Sequence, residues 1–226
     1  MIFSLEMSQI EITMRLLSAE AGVPLPYIRG GRMSDQDWNR VSAKMGQVSE
    51  APMFIDDSPS MTMMEIRAKA RRLKQRHALK LILIDYIQLM TSGKKVESRQ
   101  VEVSEFSRQL KLLAKELDVP VVALSQLNRG PEQCNDKRPM LSDLRESGFL
   151  EQDADLISLL NRPDLYDKES ERAGEADLDV AKHRNGPTKT ITVAFQGHYS
   201  LIGDLLLDAV ELLARRCWRT DRAAYL

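Results

Sequence analysis

Leu81-Ile82-Leu83-Ile84-Asp85 is a continuous apolar run closed by a carboxylate. A run without polar alternation suits a strand buried on both faces of a parallel sheet. Its closing aspartate then falls at the carboxyl end, where open α/β sheets hold their ligands. On the upstream side, Met53-Phe54-Ile55 reads as a strand that stops at Asp56-Asp57-Ser58-Pro59. Thr62 with Glu65 forms a capping box, which opens a basic helix through Arg71-Arg72-Leu73-Lys74. On the downstream side, Val101 to Leu117 is a long amphipathic helix and Pro120 to Leu124 a further buried strand. The loop Ser125-Gln126-Leu127-Asn128-Arg129-Gly130 follows it.

The same alternation continues towards both termini. Ile2 to Leu5 is a short apolar run, and Ser8 caps a helix carrying Ile12, Leu16 and Leu17. Gly22, Pro24 and Pro26 break the chain, and Ser34 with Asp37 caps a helix to about Val48. Leu156 to Leu160 is another strand, and Pro163 to Gly174 is a polar surface loop. Ala176 to Ala181 and Thr190 to Phe195 form a strand pair around Arg184-Asn185-Gly186-Pro187. The repeated β–α–β order implies an α/β domain with a mostly parallel sheet and helices on both faces. The Met and Leu stripes are expected in its core.

Composition excludes several classes. The chain has 226 residues with 43% hydrophobic content, enough for one domain with a sizeable core. Its 32 basic and 33 acidic residues give a net charge of −1, so any nucleic-acid contact needs a local basic face. No apolar run approaches the ~18 residues of a membrane span, and the first residues lack the pattern of a signal peptide. Cys134 and Cys217 lie far apart without ligand spacing, as expected of reduced thiols in a cytoplasmic chain. The basic run Arg67 to Arg76 is expected to be a solvated helix face.

Five segments carry chemistry. They are Phe3-Ser4-Leu5-Glu6-Met7-Ser8, Asp85-Tyr86-Ile87-Gln88-Leu89-Met90, Ser125-Gln126-Leu127-Asn128-Arg129, Asp143-Leu144-Arg145-Glu146-Ser147-Gly148 and Lys182-His183-Arg184-Asn185-Gly186-Pro187-Thr188. In this order they resemble the bacterial DnaB helicase family, over about Ile2 to Tyr199. The first and last segments argue against recombinase or clock relatives of the same fold. The resemblance implies a RecA-like ATPase fold that works as a hexameric ring around single-stranded DNA. It also implies ATP and Mg²⁺ as ligands, and primase and a helicase loader as partners, in the bacterial cytoplasm.

The resemblance also implies residue roles. Asp85 would help hold Mg²⁺ through ATP. Glu6 would activate the water that attacks the γ-phosphate. Gln126 would sense the γ-phosphate. Lys182 and Arg184 alternate along a strand and so share a face; in the family they reach the neighbouring subunit's nucleotide, with Arg184 as arginine finger. Arg145, Glu146 and Gly148 match the loop that touches the DNA backbone.

Two departures stand beside the resemblance. A RecA-like ATPase needs G-x-x-x-x-G-K-[ST], whose backbone N–H groups wrap the phosphates. Gly93-Lys94-Lys95 holds the only Gly-Lys pair and lacks both the earlier glycine and the following hydroxyl residue. In the family that loop lies upstream, after a strand placed between those at Val121 and Leu156. The expectation is a fragment of a longer protein, missing its first strand and phosphate loop. The alternative is a non-catalytic ring subunit that binds DNA and supplies its arginine finger to a neighbour. The second departure is residues 200–226, expected to be an atypical helical tail after a motor domain at 1–199.

Overall fold

The computed structural model describes residues 1–93, 98–128, 137–167 and 170–204, with the side chains of 145–149 outside that description. Among the described residues, eight strands and six α-helices follow one another: β1 Ile2–Ser4, α1 Gln9–Ala21, α2 Leu25–Gly30, α3 Asp35–Glu50, β2 Ile55–Asp56, α4 Met63–His77, β3 Ile82–Asp85, α5 Arg99–Leu117, β4 Val121–Ala123, α6 Gly148–Asp153, β5 Leu156–Asn161, β6 Glu175–His183, β7 Lys189–Gln196 and β8 Leu201–Asp204.

The helix starts follow from local chemistry. Ser8, Ser34 and Thr62 each accept a bond from the N–H three residues on, and Glu11, Asp37 and Glu65 bond back to the cap. Such reciprocal caps satisfy donors that the first helical turn leaves free. Gly22 ends α1 in the left-handed region at φ 60°, as the break at Gly22 predicts. Pro26 does not extend the break. It sits in the first turn of α2, where a missing N–H costs nothing.

The strands form two sheets, which account for the two halves of the sequence pattern. β2-β1-β3-β4 are all parallel, and β5-β6-β7-β8 are antiparallel. In the parallel sheet, Ile82 and Ile84 turn one face towards α4 and α5. They pack there with Phe3, Ile66, Phe106 and Leu113 in the main core. Met61, Met63 and Met90 join that core as the stripes predict, whereas Met64 is exposed. A small second cluster, Ala21, Val23 and Val41, ties α1 to α3.

Three strand expectations change. β2 begins only at Ile55. β4 is not buried on both faces: Val122 and the following Leu124 are each 44% exposed. Its cause is topological, because among the described residues β4 pairs with β3 alone and ends the sheet. Finally, Leu201–Asp204 is not helical but pairs with β7 as the edge of the antiparallel sheet; the rest of the expected tail, residues 205–226, lies outside the described residues.

The basic run on α4 is a solvated face held by acids. Lys69 pairs with Asp56, and both Arg67 and Arg71 with Glu116 of α5. At the far side, Lys111 of α5 donates to the Asp153 carbonyl at 2.6 Å and to Asp155 at 2.8 Å. That cation fixes the entry to β5 against α5.

Candidate functional site

Parallel pairing fixes the rim. Ser4 lies in register with Asp85, and Leu5 N–H donates to the Asp85 carbonyl at 2.7 Å. Ser4 is 1% exposed; its hydroxyl donates to the Met7 carbonyl at 2.7 Å and accepts from Met7 N–H at 3.1 Å. This closed turn carries Glu6 just beyond the carboxyl end of β1, with its side chain in solvent. Glu6 therefore sits two residues past the end of β1, not at the end of the strand, and beside the strand that ends in Asp85.

Asp85 is the last residue of β3 and is partly buried. Burial pushes its carboxyl above the usual carboxylate range, and the positive charge of Arg15 on α1 pulls against that shift. No hydrogen-bond donor meets this carboxylate among the described residues. A half-desolvated hard oxygen donor without a partner suits a divalent cation that also binds phosphate oxygens. Among the described residues no three His, Cys, Asp or Glu gather into a metal cluster.

Gln126 follows β4, the next strand along. Its main chain is clamped by one side chain: Gln126 N–H donates to Gln88 Oε1 at 3.2 Å, and Gln88 Nε2 donates to the Gln126 carbonyl at 3.1 Å and to Ser125 Oγ at 2.9 Å. Arg99 holds Gln88 from behind, donating to the Gln88 and Met90 carbonyls and pairing with buried Glu102. Asn128 N–H then donates to the Asp143 carbonyl at 3.1 Å, linking this loop to the segment before Arg145. Glu6, Asp85 and Gln126 are thus brought to one rim of adjacent parallel strands.

The other candidates lie elsewhere. Lys182 and Arg184 share a face, as alternation requires. Lys182 donates to the Glu151 and Gln152 carbonyls, and Arg184 donates to the Gln152 carbonyl at 3.3 Å and forms an ion pair with Asp155 at 3.3 Å. Two cations at the carboxyl end of α6 favour the helix dipole. Lys182 is in register with Ile157 at the start of β5, away from the strand end that approaches Gln126. The structure does not bring this pair to Glu6 and Asp85 within one chain. The backbone of Arg145 and Glu146 lies in a 3₁₀ segment, Leu141–Ser147, and Gly148 opens α6 rather than ending a helix. The side chains of Arg145 and Glu146 lie outside the described residues.

Sequence reasoning missed Ser4, Arg15 and Gln88 as members of the site. Ser4 and Gln88 stand inside quoted segments, and the Ser-to-Met7 spacing is a readable turn signal. Arg15 carries no motif; only the placement of α1 by β3 brings it near Asp85.

Fold and rim together define a RecA-like α/β domain with carboxylates at the ends of two neighbouring strands. The chain belongs to the DnaB-like helicase C terminal domain family, whose model matches residues 1–204. It is 69% identical over 204 residues to the replicative DNA helicase DnaB of Mycobacterium intracellulare, covering 90% of this chain and 35% of that protein. It is 68% identical to the replicative DNA helicase DnaB of Leifsonia xyli, covering 90% of this chain and 44% of that protein. The chain therefore spans between a third and a half of these relatives. Among solved structures, one described as an ATPase domain superposes with a TM-score of 0.87 at 42% identity, covering 90% of this chain and 73% of that domain. A DnaB-like replicative helicase, described with its interactions with primase, gives a TM-score of 0.87 at 42% identity, covering 90% of this chain and 51% of the other.

Proposed function

We propose that this chain is the greater part of an ATP-driven motor that moves on single-stranded DNA and unwinds duplex DNA at the replication fork. The observation that carries the reading is the rim: β1, β3 and β4 deliver Glu6, Asp85 and Gln126 side by side, in a chain of the DnaB-like family. Glu6, free in solvent, takes the proton of the attacking water as general base. Asp85 holds Mg²⁺, which neutralises charge developing on the transferred phosphoryl group. Gln126, pinned by Gln88, reports the γ-phosphate to the loop before Arg145. Arg145, Glu146 and Gly148 track the DNA backbone without base readout. Lys182 and Arg184 act on a neighbouring subunit's nucleotide, which calls for a ring, six copies by family resemblance. Primase and a loader are its fork partners, and the bacterial cytoplasm its place.

A second reading is favoured by one observation: Lys182 and Arg184 sit together away from the rim, while these 226 residues hold no phosphate-binding loop. The chain would then serve a ring as a finger-donating subunit without turnover of its own.

A chimera decides between them. Residues 1–204 replace the aligned region of the Leifsonia xyli helicase, and DNA-stimulated ATP hydrolysis is measured. The motor reading expects turnover that Glu6→Gln lowers by at least about 100-fold with nucleotide affinity retained. Turnover unchanged by Glu6→Gln would sink it. Absent turnover in the chimera, with rescue of a relative lacking its own finger arginine, would select the second reading.

A further inference from the structure

β6 approaches its end through an irregularity. Lys182 pairs with Ile157 but Val180 with Ser158, so Ala181 is an extra residue in the strand. A bulge of this kind re-aims the side chains beyond it. Here Lys182 and Arg184 lie towards α6, and His183 takes the other side by alternation. The His183 ring lies against Gly186 and leaves no room there for a Cβ.

Both cations are held by their own chain. Arg184 N–H donates to the Asp155 carbonyl at 2.8 Å, which sets its side chain beside Asp155. One terminal guanidinium nitrogen donates to the Gln152 carbonyl at 3.3 Å, and the other pairs with Asp155 Oδ1 at 3.3 Å. Lys182 donates to the Glu151 and Gln152 carbonyls. The Arg184 nitrogens that would meet a transferred phosphoryl group are thus engaged in cis, beside a carboxylate. The same Asp155 oxygen accepts from Lys111 at 2.8 Å. That bond holds the Asp155 carboxyl below its ordinary value of 3.8 against the effect of burial, and Arg184 adds to it. The Asp155 and Arg184 side chains are 62% and 50% exposed. A pair so open to solvent is weak enough to exchange for a phosphate.

The element that holds the cations continues the segment read as DNA-facing. α6 follows directly on Leu141–Ser147. Arg145 and Glu146 stand in the first part of this run, and the Glu151 and Gln152 carbonyls lie within about two helical turns of them. Lys111 ties the last helical residue to α5 through the Asp153 carbonyl at 2.6 Å. A shift of the leading segment therefore reaches the carbonyls that hold Lys182 and Arg184.

We propose that Asp155 is a positioning residue that latches the Arg184 finger on its own subunit, against the carboxyl end of α6, until Leu141–Ser147 meets single-stranded DNA. The inference rests on the reading of Lys182 and Arg184 as groups that act on a neighbour's nucleotide. It adds what restrains them. With the guanidinium paired to Asp155, the neighbour's site lacks its cation; movement of α6 breaks the pair and frees it.

Mixed rings test the latch. The donor is the Leifsonia xyli chimera carrying residues 1–204 with Glu6→Gln, so that its own site is silent. The acceptor is the Leifsonia xyli helicase without its finger arginine. ATP hydrolysis is measured with and without single-stranded DNA, and the donor with Asp155 intact is expected to support hydrolysis that depends on DNA. Asp155→Asn in the donor keeps the shape and removes the charge. It should raise the DNA-free rate at least about threefold, with the DNA-stimulated rate within about twofold. Lys111→Ala loosens the same join but leaves Asp155 to Arg184 alone, and should not raise the DNA-free rate. An equal rise in both variants would make the join the cause and overturns the proposal. So does a DNA-free rate that Asp155→Asn leaves unchanged. A fall of the DNA-stimulated rate in Asp155→Asn as deep as in Arg184→Ala overturns it too, since Asp155 would then support the engaged finger. Hydrolysis absent from the mixture with Asp155 intact, DNA included, fails the finger reading and takes the latch with it.

Discussion

The parallel and antiparallel sheets are built by different means. The parallel sheet rests on a dense apolar floor, with Phe3, Ile82, Ile84 and Leu113 fully buried. The antiparallel sheet buries few apolar residues, chiefly Leu159, Ala176 and Ala194, and is laced by polar side chains across β6 and β7. Arg172 grips Asp177 with two bonds at 2.6 and 3.0 Å, and Thr192 donates to the same carboxylate at 3.0 Å. Arg138 and Thr190 meet Asp179 one pair along. Packing holds one sheet and charge-assisted pairs the other, and the candidate rim lies on the packed half.

The largest effect is expected in the floor. Leu113→Ala leaves a cavity under β3 and should cost about 3 kcal/mol in denaturant unfolding, while Leu156→Ala at an exposed position of β5 should cost below about 0.5 kcal/mol. Equal costs would erase the contrast. Next, Asp177→Ala removes the carboxylate that Arg172 and Thr192 share, leaving Arg172 with Glu175 alone, and should cost about 2 kcal/mol, with faster exchange confined to β6 and β7. The Arg172 hydrogen bonds hold the Asp177 carboxyl below its ordinary value of 3.8, against the opposing effect of burial. A depressed folded pKa means this stability is fully present above the ordinary value and is lost as pH falls through the folded one. The acid limb of a stability profile should therefore flatten in Asp177→Asn.

Smaller effects probe the join. Lys111→Ala removes the staple between α5 and the entry to β5, at about 1 kcal/mol, and should loosen β5 without touching β1 or β3. Gln88→Ala should leave global stability within about 1 kcal/mol. It should raise exchange at the Gln126 amide at least about tenfold; an unchanged Gln126 amide would show that the clamp holds nothing.

Much of this was legible in the residues. The Ser8 cap, the capping boxes at Ser34 and Thr62, the apolar run ending at Asp85 and the late strand pair all announce their elements, because each rests on interactions within a few residues. The convergence of Glu6, Asp85 and Gln126 follows once the strands are parallel. The exposed border of β4 was not legible. Pro120 to Leu124 has the composition of a doubly covered strand, and only its place at the end of the sheet among the described residues leaves it bare. Nor could the pairing of Lys182 and Arg184 with α6, or the pull of Arg15 on Asp85, be read without tertiary register. The share of β8 in the antiparallel sheet was masked by leucines that suit helix and strand alike.

The central claim is that this chain carries the acidic rim of a nucleotide site but not the grip on the phosphates. Calorimetric titration of Mg²⁺-ATP into the 226-residue polypeptide addresses it directly. The expected result is no binding tighter than about 1 mM. A dissociation constant in the micromolar range would contradict the account, since the rim alone would then be holding the triphosphate.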